Sequence, residues 1–201
     1  MRKVIYSMGM SLDGFIAGPG GEIDWGAPDE ELHRFHNERV REVGVEFCGR
    51  RLYEEMLYWE TADQNPSAGE IELEFARIWR ALPKIVFSTT LDEVEGSNTR
   101  LAKDGIAEEV ARLKAQPGKD LAVGGAGLAA SFAELGLIDE YQIFVSPIVL
   151  GGGKRFFPPL EERVDLELLE TRTFGSRVVY LRYGVSANEG HEEGEQGERG
   201  E

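Results

Sequence analysis

The chain has 201 residues, of which 41% are hydrophobic and 9% aromatic, a size and composition that suit one globular domain. Its formal net charge is −15, and the six Glu and one Arg between positions 189 and 201 supply about −5 of that. Such an acidic body argues against non-specific binding to nucleic acid or to an anionic membrane.

The cysteine content and the absence of long apolar runs indicate the cellular compartment of the protein. Cys48 is the single cysteine, so no intrachain disulfide can form, and a reducing compartment fits. No apolar run has the length of a membrane span, and no signal peptide is recognisable at the amino terminus. We expect a cytoplasmic protein with one domain over residues 1–186. Residues 187–201 are rich in Glu and Gly, and we expect a disordered acidic tail there.

Strands and helices alternate along most of the chain. A strand over 3–8 is followed by a Gly- and Pro-rich loop with a brief extended piece at 15–17, then by a helix that begins after Pro28. Further strands are expected at 45–48, 84–87, 121–123, 141–145, 164–173 and 177–183, and further helices after Gly49, at 70–82, at 106–113 and from about Ala126. The alternation predicts an α/β fold, with a mostly parallel central sheet, helices on both faces and a C-terminal antiparallel hairpin.

The stretch from Asp120 to Gly136 is a strand, a glycine turn and a helix. Gly124 and Gly125 allow a sharp turn, and the helix after them begins with backbone N–H groups that have no internal partner. Such groups favour a phosphate or diphosphate, although a tight turn without a ligand is an equal alternative. The segment also matches G-x-G-x-x-A, but no second βαβ unit follows, so a Rossmann domain is rejected.

Two other junctions carry groups that suit an anion. Arg50 and Arg51 follow Gly49 at a predicted helix start, where cations are unfavourable unless an anion is present, or they are solvated and paired with nearby Glu. Ser88 and Thr89 follow the strand at 84–87, where hydroxyls bind phosphate or ribose oxygens or cap a turn. Because the carboxyl ends of parallel strands meet at one edge, we expect the three junctions to share one ligand.

His33 and His36 lie three residues apart and could share a helix face. The remaining His and the single Cys lie in a predicted tail and a predicted strand, so no further ligand completes a set. We therefore expect no metal site.

In order and spacing, several short motifs resemble the dihydrofolate reductase fold family, and most closely its branch typified by the riboflavin-biosynthesis reductase domain (RibD C-terminal domain-like). The resemblance spans nearly all of residues 1–185. The motifs that carry it are Ser11-Leu-Asp-Gly-Phe-Ile-Ala17, Gly49-Arg50 with Glu54, Phe87-Ser-Thr89, Val123-Gly-Gly125, Asp139-Glu140 and Pro147-Ile-Val-Leu-Gly-Gly-Gly153.

The resemblance implies an NADPH-dependent reductase. By analogy Arg50 and Thr89 would hold the adenosine 2′-phosphate, with Arg51 nearby and with Gly49 and Ser88 at the same strand ends. Ile16 and Ala17 would lie against the nicotinamide. The diphosphate would be cradled by Gly124, Gly125, Ala126, Gly127 and Leu128. Two positions after Arg50 the family usually carries a hydroxyl, and here the residue is Leu52.

The resemblance leaves the catalytic acid open. In dihydrofolate reductases an acid opens the helix after Trp-x-x-Pro, and that offset from Trp25 lands on Glu30, with Asp29 adjacent. The alternative is that these acids merely favour the helix dipole. Resemblance to the riboflavin branch favours Asp13 as the catalytic acid. The alternative is that Asp13 only caps the loop. Trp25, Asp29, Leu150 and Gly151 are the expected substrate contacts.

The implied reaction is hydride transfer to a C=N bond of a pterin-like or ribosylaminopyrimidine-like heterocycle. Riboflavin enzymes of this type usually carry a deaminase domain, for which this chain has no room. The competing hypothesis is a non-catalytic nucleotide-binding or regulatory module that retains the fold. Relatives in the riboflavin branch are commonly dimers, so a homodimer is expected.

Overall fold

The structure is a computed structural model that describes residues 1–159 and 163–186. The predicted tail at 187–201 lies outside the described residues. The strands are β1 (Val4–Ser11), β2 (Phe15–Ala17), β3 (Val43–Gly49), β4 (Lys84–Phe87), β5 (Thr99–Leu101), β6 (Asp120–Gly124), β7 (Glu140–Ser146), β8 (Lys154–Arg155), β9 (Leu166–Thr173) and β10 (Val179–Val185). The α-helices are α1 (Glu30–Arg41), α2 (Arg50–Met56), α3 (Glu70–Ala81), α4 (Ile106–Lys114) and α5 (Ala126–Glu134).

Eight strands form one sheet in the order β5-β4-β3-β6-β1-β7-β10-β9. The first six in that order pair in parallel, whereas β10 runs antiparallel to both β7 and β9. The predicted α/β class, with a mostly parallel sheet and a C-terminal antiparallel hairpin, is therefore confirmed.

The sheet is covered on both faces, as expected for parallel strands. On one face α4 and α5 bury Val110, Leu113 and Phe132 against β3, β6 and β1. On the other face Phe35 of α1 packs against the aromatic side chains of β7 and β10, and Trp79 of α3 packs against β3 and β4. The helical periodicity of α1 and α3 puts these apolar residues on one side of each helix.

Two strands are absent from the sequence prediction. The edge strand β5 has three residues, all half-buried, and it joins the sheet through main-chain pairing with β4. The two-residue β8 pairs with β2 outside the main sheet. Neither segment is long enough to show an alternating pattern, so neither could be recognised from periodicity.

Candidate active site

The three predicted junctions lie side by side at one edge of the sheet. Gly49 at the end of β3 pairs with Phe87 at the end of β4, and Cys48 pairs with Gly124 at the end of β6. Adjacent strands are about 4.8 Å apart, so the turns that follow these ends are neighbours. The β3–α2, β4 and β6–α5 junctions therefore converge, although they are far apart in the sequence.

The β6–α5 junction depends on glycine for two different reasons. Gly124 is buried, and a Cβ at this position would overlap the Leu52 side chain and lie 2.7 Å from Glu46 Oε1. Gly125 has φ of +86° and ψ of 123°, a conformation that residues with a Cβ rarely adopt. Helix α5 begins directly after it at Ala126, which is buried. Gly127 is exposed with open space above its Cα, and a Cβ added at Gly49 would lie 3.5 Å from Leu128 Cβ.

The β3–α2 junction is tied to the end of β4 by Arg50. Its Nε donates a hydrogen bond to Glu54 Oε1 at 2.7 Å, and its Nη1 donates one to Thr90 Oγ1 at 2.8 Å. The hydroxyl that Arg50 contacts is thus that of Thr90, the residue after Thr89. Ser88 Oγ accepts hydrogen bonds from the backbone N–H groups of Thr90 and Leu91, which is a turn-capping arrangement.

A crevice of about 540 Å³ lies between these two junctions. We call it the outer crevice; its walls include Arg50, Ser88, Thr89, Thr90 and Asp104. Arg50 and Thr89 are both exposed there. The outer crevice therefore presents a guanidinium and hydroxyl groups to any anion that enters it.

A larger cleft of about 1280 Å³ continues along the same edge. We call it the main cleft; five of the predicted site residues line it, namely Ile16, Ala17, Trp25, Arg51 and Gly125. The pairing of β2 with β8 fixes the loop that carries Ile16 and Ala17. Arg51 therefore belongs to a different cavity from its neighbour Arg50.

Asp13 holds two loops together rather than facing the main cleft. Its Oδ1 accepts hydrogen bonds from Ser11 Oγ at 2.6 Å and from the Leu150 amide at 3.1 Å, and its Oδ2 accepts one from the Gly151 amide at 2.7 Å. The hydrogen bond from Ser11, aided by those from the two amides, lowers the pKa of Asp13 to about 2. Leu150 and Gly151 thus contact a carboxylate of this chain through their backbone N–H groups.

This arrangement predicts that the Asp13→Ala variant loosens the loop around Gly151. At pH 7 we expect faster hydrogen exchange of the Leu150 and Gly151 amides, measured by NMR and corrected for intrinsic rates. Because the folded-state pKa of Asp13 is depressed, its contribution is present above about pH 4 and is lost as the pH falls towards 2. The exposed Asp24→Ala variant is the control and should leave both amides protected. Unchanged exchange in Asp13→Ala would contradict this role.

Both acids at the start of α1 are exposed. Asp29 is the N-cap residue, and its Oδ1 accepts a hydrogen bond from the Leu32 amide at 2.8 Å. Glu30 forms an ion pair with Arg34 one turn later, at 2.7 Å. The buried residues of α1 are Leu32, Phe35 and Asn37, whereas Glu30 lies on the exposed side of the helix. The Trp-x-x-Pro offset therefore identifies an acid that lies outside the main cleft.

A third cavity, which lies behind the main cleft, was not anticipated from the sequence. It has a volume of about 580 Å³ and lies between the sheet and the helices α1 and α3. We call it the inner chamber; its walls include His33, His36, Glu46, Trp59, Trp79 and Gln142. It shares Met8, Gly9, His36, Leu52 and Phe144 with the main cleft, so the two cavities adjoin.

His36 stands where the two cavities meet. Its ring lies 4.3 Å from the Phe144 ring, and burial lowers the pKa of His36 to about 4, so the imidazole is neutral at pH 7. Within residues 1–159 and 163–186, no cluster of His, Cys, Asp and Glu side chains could hold a metal ion. In the same ranges, no helix has the length and apolar character needed to span a membrane.

Comparison with known proteins assigns the family. The sequence model of the RibD C-terminal domain matches residues 2–180, which is most of the chain. This protein belongs to the RibD C-terminal domain family. A Bacillus subtilis (strain 168) protein, YyaP, is 34% identical over 183 residues, which cover 90% of this chain and 94% of YyaP.

Solved structures agree with the assignment of this RibD C-terminal domain protein. The Thermotoga maritima diaminohydroxyphosphoribosylaminopyrimidine deaminase/5-amino-6-(5-phosphoribosylamino)uracil reductase has a TM-score of 0.66 at 16% identity, and the match covers 92% of this chain and 57% of that one. Enterococcus faecalis dihydrofolate reductase complexed with NADP(H) has a TM-score of 0.59 at 14% identity, with 92% and 97% covered. The dihydrofolate reductase-like fold predicted from the motifs is confirmed.

Proposed function

We propose that this protein is an NADPH-dependent reductase that transfers hydride to a C=N bond of a pterin-like or ribosylaminopyrimidine-like heterocycle. The observation that carries the proposal is the convergence of three junctions at one sheet edge, beside a cleft large enough for a dinucleotide and a substrate ring. Membership of a family whose fold is shared with reductases supports it.

The residues present suit NADPH. Gly125 and the open first turn of α5 at Gly127 leave backbone N–H groups accessible, as a diphosphate requires. Arg50 and Thr89, with Thr90, would hold the 2′-phosphate in the outer crevice, because a guanidinium can bind a dianion through two hydrogen bonds. Arg51 lines the main cleft and would therefore bind the diphosphate from that side.

NADPH, when bound, supplies the hydride, so the chain needs no nucleophile. Its own residues bind and orient: Ile16 and Ala17 form an apolar wall of the main cleft, and Trp25 lies at the same cleft. For Asp13 we propose a positioning role, since its carboxylate is fully engaged with Ser11, Leu150 and Gly151. The role of Glu30 as the catalytic acid and the role of Asp29 as a substrate contact stay predictions.

The decisive experiment separates a reductase from a binding module. Purified protein is titrated with NADPH while nicotinamide fluorescence is followed, and NADPH oxidation is then measured with dihydrofolate, dihydrobiopterin and a ribosylaminopyrimidine. We expect binding, and oxidation with at least one of the three. Binding without oxidation of NADPH by any of them would favour the non-catalytic module, and failure to bind would contradict both.

We also propose that the protein acts in the cytoplasm as a homodimer. The strand β9 pairs on one side only, with β10, and its Leu168 and Leu169 side chains are about half exposed. An edge strand with exposed leucines is a surface on which a second copy can pair. Light scattering of the purified protein should give twice the chain mass of 22.4 kDa, and a mass equal to one chain would contradict the dimer.

A further inference from the structure

The inner chamber contains one half-buried acid, Glu46, that differs from the two fully buried acids, Glu109 of α4 and Glu140 of β7. Glu109 is fully buried and forms ion pairs with Arg100 and Arg112. Glu140 is also fully buried and forms ion pairs with Lys3 and Arg182. A buried acid normally needs such partners.

Glu46 has no comparable partner. It lies on β3 opposite Lys84 of β4, so the two side chains leave the sheet on the same face. The Lys84 ammonium is nevertheless held elsewhere, since its Nζ donates to the carbonyl oxygens of Trp79 and Leu82 and lies 3.8 Å from Glu60. Among the described residues, no side chain or amide donates a hydrogen bond to the Glu46 carboxyl.

The Glu46 carboxyl is placed where the chamber adjoins the cofactor junction. Its Oε1 lies above the Cα of Gly124, at the position that the absent Cβ leaves open, and beside Leu52. Leu52 lines both the inner chamber and the main cleft. A ring held by Glu46 would therefore lie next to the space assigned to NADPH.

The rest of the chamber suits a flat ring. Trp59, Phe75 and Trp79 form an aromatic wall, in which the rings of Trp59 and Phe75 lie 4.6 Å apart. A volume of about 580 Å³ is in the range of small-molecule sites. A mostly apolar cavity with a single unsatisfied carboxyl binds a ligand that is planar and carries complementary hydrogen-bonding groups on one edge.

We propose that Glu46 is the substrate-recognition group, and that its carboxyl forms a pair of hydrogen bonds with a cyclic amidine or lactam edge of a planar nitrogen heterocycle. Such an edge presents an N–H group beside an acceptor atom. It matches a carboxylic acid, which both donates and accepts. This proposal deepens the proposed function and rests on it, because it defines the substrate class of the same site.

The protonation state of Glu46 agrees with this pairing. Burial raises the pKa of Glu46 to about 8, and the nearby Lys84 ammonium offsets only part of the increase. At pH 7 the carboxyl is therefore neutral and has an O–H group to donate. The other titratable or charged groups on this side are Cys48 on the same strand and, in the chamber wall, His33, His36, Arg39, Glu42, Asp120 and Arg182.

The test uses two probes of the same shape, 2,4-diaminopyrimidine and 2,4-dimethylpyrimidine, measured by titration calorimetry without NADPH. The wild-type protein should bind the diamino compound at least about fivefold more tightly, because the dimethyl compound keeps the ring nitrogen acceptor but lacks the amino N–H, and so loses one hydrogen bond of about 1 kcal/mol. In Glu46→Leu, whose side chain neither donates nor accepts a hydrogen bond, that preference should fall to about twofold or less. The matched control Glu38→Leu, on the exposed side of α1, should keep the full preference.

Location is tested separately by tryptophan fluorescence. The chain has three tryptophans, of which Trp59 and Trp79 line the inner chamber and Trp25 lines the main cleft. In a Trp25→Phe background, the diamino probe should still change the fluorescence. An unchanged signal would place the probe outside the chamber and overturn the proposal.

Two calorimetric results would also overturn it: no binding of either probe by the wild type, or an equal preference for the diamino compound in wild type and Glu46→Leu. A thermal unfolding experiment checks that the variant is folded. Because the folded-state pKa of Glu46 is raised, the folded wild-type protein loses stability as the pH rises through about 8 and the carboxyl ionises. Glu46→Leu has no group to ionise there, so it should melt above the wild type at pH 9. Since no step uses NADPH or turnover, failure here is distinct from failure of the reductase proposal.

Discussion

Replacing Arg50 by alanine should weaken NADPH binding by about 10- to 100-fold while leaving NADH binding within about threefold. The reason is that NADH lacks the 2′-phosphate, so it cannot use the charge-assisted hydrogen bonds, about 1.5–3 kcal/mol in total, that we assign to this guanidinium. Dissociation constants are measured by nicotinamide fluorescence for both cofactors with wild-type and variant protein.

The chain offers a matched control for this variant. Arg34 also forms an ion pair with an acid four positions away, Glu30, at the same 2.7 Å separation as Arg50 and Glu54. Arg34 lies on α1, outside the outer crevice. Arg34→Ala should therefore leave both affinities unchanged, and an equal loss of both cofactors in Arg50→Ala would remove Arg50 from the 2′-phosphate role.

The second large effect concerns stability at the β6–α5 junction. Gly124→Ala should lower the free energy of unfolding by about 1–3 kcal/mol, because the added methyl group overlaps Leu52 and crowds Glu46. Gly125→Ala should cost about 1–3 kcal/mol for a different reason, since its φ of +86° strains any residue with a Cβ. Urea unfolding followed by circular dichroism measures both.

Gly127→Ala is the control for these two variants. This residue is helical, and nothing within 4 Å obstructs a Cβ, so alanine should raise stability by up to about 1 kcal/mol through its higher helix propensity. If Gly124→Ala were as stable as the wild type, the close packing of Leu52 and Glu46 over this glycine would be contradicted.

Much of the fold was predictable because its strongest elements have clear local patterns. The strand at Lys84–Phe87 and the helix beginning at Glu70 occur where expected, because a short apolar run and an amphipathic period identify them unambiguously. The convergence of the junctions also followed from the alternation of strands and helices, since parallel strands must end at the same edge.

What could not be predicted depends on contacts between distant segments. The hydrogen bond from Arg50 to Thr90 depends on how one turn is capped, and the solvent-facing position of Glu30 depends on where α1 begins. The inner chamber arises where α1, α3 and β3 meet, which no local pattern reveals. One signal was present: Glu46 is an acid within the otherwise apolar strand Val43–Gly49.

The order of strands along the sheet edge has a consequence for ligand length. From β4 at the outer crevice to β1 at the main cleft there are three strand intervals, which together span roughly 14 Å. Either mononucleotide half of a dinucleotide would reach only part of that distance. Adenosine 2′,5′-bisphosphate and nicotinamide mononucleotide should therefore occupy the protein at the same time and only weakly, whereas the covalently joined molecule gains from the high effective concentration of its second half.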